Sequence, residues 1–112
     1  MEIKENIEQG ILFLSLEGDL IGESNGAQIV ERVTDFISEG GAKCAIDLAG
    51  VRYMNSSGIG VLITLLTKMK NVKGEMVLVN PSDQIKKLLT ITKLDAVFTA
   101  VESQKEALIK LS

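Results

Sequence analysis

A chain of 112 residues is long enough for one domain with one core, and 46% hydrophobic against 24% charged residues excludes a disordered chain. A net charge of −3, no long basic run, one tyrosine and three phenylalanines argue against nucleic acid as a partner. The absence of histidine removes Ser-His-Asp and Cys-His catalysis and histidine metal ligation. The single cysteine, Cys44, excludes an internal disulfide and fits a reduced compartment.

In chain order, Glu2 to Glu8 reads as a polar first strand at a sheet edge, and Gln9-Gly10 as a turn. Ile11 to Leu16 is predicted to be a strand covered on both faces, because apolar residues occupy both. Gly18 ends it, and Asp19 to Asn25 reads as a loop. Ile29, Val30, Val33 and Ile37 repeat as one face of a helix, which Gly40-Gly41 stops. Ala42 to Leu48 is predicted as a strand with Cys44, Ile46 and Leu48 on one face. Cys44 there reads as a buried, inert thiol.

Ser57 to Lys70 follows as the most buried helix. Its inner stripe is Ile59, Leu62, Ile63, Leu66 and Met69, widened by Val61 and Leu65. Lys68, Lys70 and Lys73 suit the negative end of that helix, with an anionic contact patch as a second reading, and Gly74 ends it. Met76 to Val79 reads as a central strand. Ser82 caps a helix bearing Ile85, Leu88 and Leu89. Phe98 to Val101 is a last strand, and Ser103 caps a final helix bearing Ala107, Leu108 and Leu111. The order β-β-α-β-α-β-α-β-α predicts an α/β domain over residues 1–112. Its opening hairpin would be followed by parallel strands with helical crossovers. No stretch is long and apolar enough to span a membrane, and Met1 to Glu5 does not read as a signal peptide, so a cytoplasmic protein is expected.

The segment with most chemical content is Tyr53-Met54-Asn55-Ser56-Ser57-Gly58-Ile59-Gly60. It places two adjacent serines in a short polar loop at the start of a helix, where N–H groups lack partners and the dipole is positive. One serine suffices for a cap, a role that contributes about 1 kcal/mol. Gly58 and Gly60 each cost about 1 kcal/mol of helix propensity relative to alanine. Such glycines give another molecule close access to the backbone. A serine nucleophile is disfavoured, because there is no base and no G-x-S-x-G turn. A phosphate-binding loop is disfavoured, because no lysine follows the glycines in register. Phosphorylation of a serine fits better: it adds about −1.5 to −2 charges where the helix dipole offsets part of them. Asp19 and Asp47 read as solvated or cap-like acids near strand ends, and Met54, Met69 and Met76 as core fillers. Capping and phosphorylation both remain open on these grounds.

The element order together with Asp47-Leu48 and the Tyr53 to Leu62 segment resembles the STAS domain, and more narrowly the bacterial anti-sigma factor antagonists. The resemblance covers essentially the whole chain, including Gly18-Asp19-Leu20 and Gly74 to Val79. It implies a STAS-type mixed sheet of about five strands with about four helices, no catalytic residue, no metal and no cofactor. It implies partner switching: the unphosphorylated form binds an anti-sigma factor that is a serine kinase and so frees a sigma factor. The kinase phosphorylates the first serine, here Ser56, and a metal-dependent PPM-type phosphatase restores binding. With Ser56 as the switch, Ser57 is left as the cap. Partner contacts are implied at Asn55, Ser57, Gly58, Ile59, Asp19 and Ile21. This chain has Asn55 where the family usually has aspartate, and Ile21 where many members carry an acid. An alternative within the resemblance is a STAS-type accessory subunit of a lipid-transport ATPase or of a stressosome-like scaffold.

Overall fold

The computed structural model describes the backbone of residues 1–112 and every side chain except those of Glu23 and Ser24. Strands β1 (Glu2–Glu8), β2 (Ile11–Leu20), β3 (Lys43–Met54), β4 (Glu75–Val79) and β5 (Thr99–Val101) form one sheet in that spatial order. The β1–β2 pair is antiparallel and the other three pairs are parallel. Helices α1 (Ala27–Ser38), α2 (Ser56–Asn71), α3 (Asp83–Ile91) and α4 (Gln104–Leu111) make the crossovers and the C-terminal end. The mixed sheet and four helices match the α/β architecture expected from the sequence.

Two apolar layers hold the sheet. On one face, Leu12, Leu14, Leu16, Cys44, Ile46, Leu48 and Leu78 pack against Ile29, Val33 and Phe36 of α1, Leu62, Leu65 and Met69 of α2, and Ile85 and Leu89 of α3. On the other, Ile11, Phe13, Ala45, Val77 and Val79 pack against Ala107 and Leu111 of α4. This explains why β2 is apolar on both faces, as predicted. Met54, Met69 and Met76 are buried, as expected of core fillers. Cys44 is fully buried, and loss of hydration pushes its thiol up from 9.0 to about 12, so the neutral form dominates.

The structure corrects several expectations. Strand β2 runs on to Leu20 instead of stopping at Leu16, and the Asp19 to Asn25 loop contracts to a π-helical turn, Gly22–Gly26, that leads into α1. Strand β3 continues past Leu48 to Met54, leaving Asn55 as the whole of the polar loop before α2. It does so through two register shifts against β2, which place extra residues on β3 around Leu48-Ala49 and at Arg52. The Asp47 carboxylate secures the first, accepting the Ala49 N–H at 2.9 Å. After two bulges the inward residues fall at Leu48, Val51 and Met54, a spacing of three that hides the strand from an alternation test. Ile63, assigned to the buried stripe of α2, is 40% exposed.

Candidate functional site

At the C-terminal ends of β2 and β3 the chain turns into the π-helical turn and into α2. Asn55 has an extended backbone, and its side-chain oxygen accepts the Gly58 N–H at 2.9 Å. Its backbone carbonyl accepts the Ile59 N–H at 3.1 Å. Asn55 is therefore the N-cap of α2, which corrects the assignment of Ser57 to that role. Three consecutive residues here are good caps by type, and sequence alone does not rank them. The end of β3 decides, because Asn55 is the last extended residue.

With the cap supplied by Asn55, Ser56 becomes the first residue of α2, exposed to solvent. No acidic side chain lies in that first turn. Ser57 is half-buried. Its carbonyl lies 2.5 Å from the position a Cβ on Gly22 would take, so only glycine lets the π-helical turn approach α2 this closely. Gly26 stands in the same relation to the Val61 side chain, at 2.6 Å. A Cβ on Gly58 would collide with the Leu20 carbonyl oxygen at the end of β2. Three glycines thus join the end of β2, the π-helical turn and the first turns of α2 into one packed unit.

The residues named in the sequence fall into two groups. Ser56 is exposed, and Asn55, Ser57, Asp19 and Ile21 are half-buried around it or on the neighbouring β2 end. Gly58 and Ile59 are buried, so they support the surface from beneath. The Asp19 carbonyl accepts the Asn25 side-chain N–H at 3.0 Å, and the Asp19 carboxylate sits 3.6 Å from the Arg52 guanidinium. That pair is exposed, and such pairs contribute little to stability. Two exposed residues at this end were not singled out from the sequence as site residues: Arg52, put outside the regular pleat by the second bulge, and Tyr53, 54% exposed. Both line a groove of about 200 Å³ with Met54, Gln84, Ile85 and Leu88. Among the described residues, no group of three or more His, Cys, Asp or Glu side chains is placed to hold a metal ion, and no helix is long and apolar enough to cross a membrane.

A single chain-length match decides the family: the model of the STAS domain aligns with residues 2–107. The chain belongs to the STAS domain family. A relative from Thermotoga neapolitana, named as an anti-sigma factor antagonist, is 30% identical over 74 residues. The match covers 66% of each chain, so it spans just under two thirds of that relative. Among solved structures, one from Thermotoga maritima, also named as an anti-sigma factor antagonist, superposes with a TM-score of 0.89 at 23% identity, over 97% of this chain and 93% of that one. The Bacillus protein SpoIIAA in its phosphorylated form superposes with a TM-score of 0.77 at 19% identity, over 99% of this chain and all of that one. At these identities the superpositions establish the STAS fold.

Proposed function

We propose that this STAS domain is an anti-sigma factor antagonist: a non-catalytic cytoplasmic binding module whose affinity is set by phosphorylation of Ser56. The unphosphorylated face binds an anti-sigma factor that is a serine kinase and so frees a sigma factor. A PPM-type phosphatase reverses the modification. The reading is supported by relatives that carry the antagonist name and by a structural neighbour studied in a phosphorylated form.

One observation carries it. Asn55 accepts the first-turn N–H, so the fold does not require the Ser56 hydroxyl for capping, and that hydroxyl stands in solvent at the N-terminus of a 16-residue helix. A phosphate there meets a favourable dipole and no acid in the first turn. The fold survives the modification, while the binding face gains charge and bulk.

The test uses the purified chain to recover its kinase from native cells, then titrates that kinase against variants. Ser56→Ala is expected to bind constitutively and to accept no phosphate on incubation with the kinase and ATP. Ser56→Asp is expected to bind at least about tenfold more weakly, by analogy with a rim-to-core charge introduced at an interface. It should nonetheless melt no lower than wild type, because an acid at the first helical position is favourable by about 0.3–1 kcal/mol. Equal binding of wild type and Ser56→Asp, or phosphate mapped to another residue, would sink the proposal.

A further inference from the structure

Of the glycines around the switch, Gly22, Gly26 and Gly58 are each explained by an internal neighbour that leaves no room for a Cβ. Gly60 is not. It lies within α2, exposed, at an ordinary backbone conformation, and a Cβ added there would meet nothing within 4 Å. The fold thus carries the propensity cost of a helical glycine with no internal reason for it. Its carbonyl still accepts a hydrogen bond, from the Thr64 hydroxyl at 2.9 Å.

The surroundings say what kind of contact would use that space. Gly60 lies one helical turn below Ser56, with Ile63, Thr64 and Thr67 exposed further along the helix. From Ser56 to Thr67 the sequence has no charged residue, and the first charge on the helix is Lys68. A charged partner side chain brought onto this stretch of α2 would lose its water and find no counter-ion on the helix before Lys68. An uncharged segment carrying apolar and hydroxyl side chains would lose nothing comparable. Ile63 offers it apolar area.

Resting on the switch reading above, the geometry points to Gly60 as the place where an uncharged segment of the anti-sigma factor kinase packs its backbone directly against α2. Close approach at Gly60 brings Ser56 into the same water-excluded contact. The hydroxyl of Ser56 is tolerated there. A phosphate is not, because α2 carries no cation from Ser56 to Thr67 to complete what the helix dipole supplies once water leaves. Release then follows from the cost of burying an unpaired charge and does not need an acid on the partner.

The test compares Gly60→Ala and Gly60→Leu with wild type, using as probe the purified kinase recovered with the wild-type chain, and reads both melting temperature and Kd. Gly60→Ala is expected to melt at or above the wild-type temperature, since the space is open and alanine favours helix. It is expected to bind the kinase at least about tenfold more weakly, because a methyl group inserted into a close-packed contact forces the surfaces apart. Gly60→Leu should bind more weakly still. If Gly60→Ala and Gly60→Leu bind within about threefold of wild type while Ser56→Asp releases the kinase, close approach at Gly60 is overturned and the switch stands. If Ser56→Asp also binds like wild type, the switch reading itself has failed, and this inference falls with it. A further expectation separates the mechanism: dissociation of the phosphorylated complex should depend weakly on salt, as desolvation does, and a steep salt dependence would overturn it.

Discussion

Asn55 frees Ser56 by taking the cap itself. Its removal is therefore expected to act on stability first. Asn55→Ala should lower stability by about 1 kcal/mol, seen as a Tm lower by a few degrees. Asn55→Asp should retain the cap and the Tm, since both residues present an acceptor oxygen. An unchanged Tm in Asn55→Ala would remove Asn55 from the capping role. The neighbouring glycines give a sharper contrast. Gly58→Ala places a methyl group against the Leu20 carbonyl and is expected to cost about 1–3 kcal/mol. Gly60→Ala, two residues on, meets open space. Chemical denaturation of the two variants side by side checks this. The sequence shows two glycines of equal standing, and only the position of β2 separates them.

Among the elements, the three longest helices end alike but with different residues. After α1, α2 and α3 the residue at positive φ is Gly40, Lys73 and Lys93 respectively, at 96°, 58° and 61°. In each case the next residue returns its N–H to the helix: Gly41 to Phe36, Gly74 to Met69 and Leu94 to Leu89, at 2.9, 2.7 and 2.8 Å. These are Schellman closures. Gly40-Gly41 stops α1, as the sequence predicts. At the end of α2, however, the left-handed residue is Lys73, and Gly74 is the one that follows it, pressed against the Ala42 carbonyl. A lysine in that conformation costs about 1 kcal/mol that glycine does not. Lys73→Gly and Lys93→Gly are therefore each expected to stabilise by roughly 0.5–1 kcal/mol, measured as a rise in the urea midpoint at constant m-value. A fall in midpoint for both would show that the lysine side chains contribute more at the helix ends than their backbone strain costs. Strand β3 carries the complementary lesson. Its bulges put Leu48, Val51 and Met54 inward, so no periodic pattern announces the second half of the strand. That second half carries Arg52 and Tyr53 and delivers Asn55 to the helix.

For the molecule as a whole, the parallel strands β2 to β5 send their C-terminal ends to one side. The π-helical turn and the N-termini of α2, α3 and α4 gather there, while Lys68, Lys70 and Lys110 lie in last helical turns at the other. The proposed switch face and the basic helix ends are therefore opposite poles, and charge added at Ser56 falls where the dipoles favour it. The core between the poles makes its own prediction through Cys44. Its thiol is pushed up to about 12 by burial, above the 9.0 of the unfolded chain. A group with a raised folded-state pKa contributes stability that is whole below the unfolded value. The contribution is lost as pH rises from about 9 toward 12, because only the unfolded chain releases the proton there. Cys44→Ala should flatten that alkaline fall relative to wild type, after allowance for its lower starting stability. In the native protein at neutral pH, Cys44 should resist a thiol reagent that labels it at once in denaturant. Rapid native labelling would contradict the burial.

The order and type of the elements, the two-sided burial of β2, the core methionines and cysteine, and the exclusion of histidine chemistry are all legible in the residues. All of these follow from residue type and local periodicity, which the chain displays directly. The serine pair at a helix start was equally legible, and with it the family resemblance. Which residue caps α2, where β3 ends and which glycines the fold needs emerge only from the folded arrangement. Each depends on a neighbour distant in sequence: β2 holding β3 in a bulged register to Met54, the Leu20 carbonyl closing on Gly58, the π-helical turn closing on Ser57 and Val61. Gly60 stands out only once those neighbours are in place, because an unexplained glycine can be seen only after the explained ones have been accounted for.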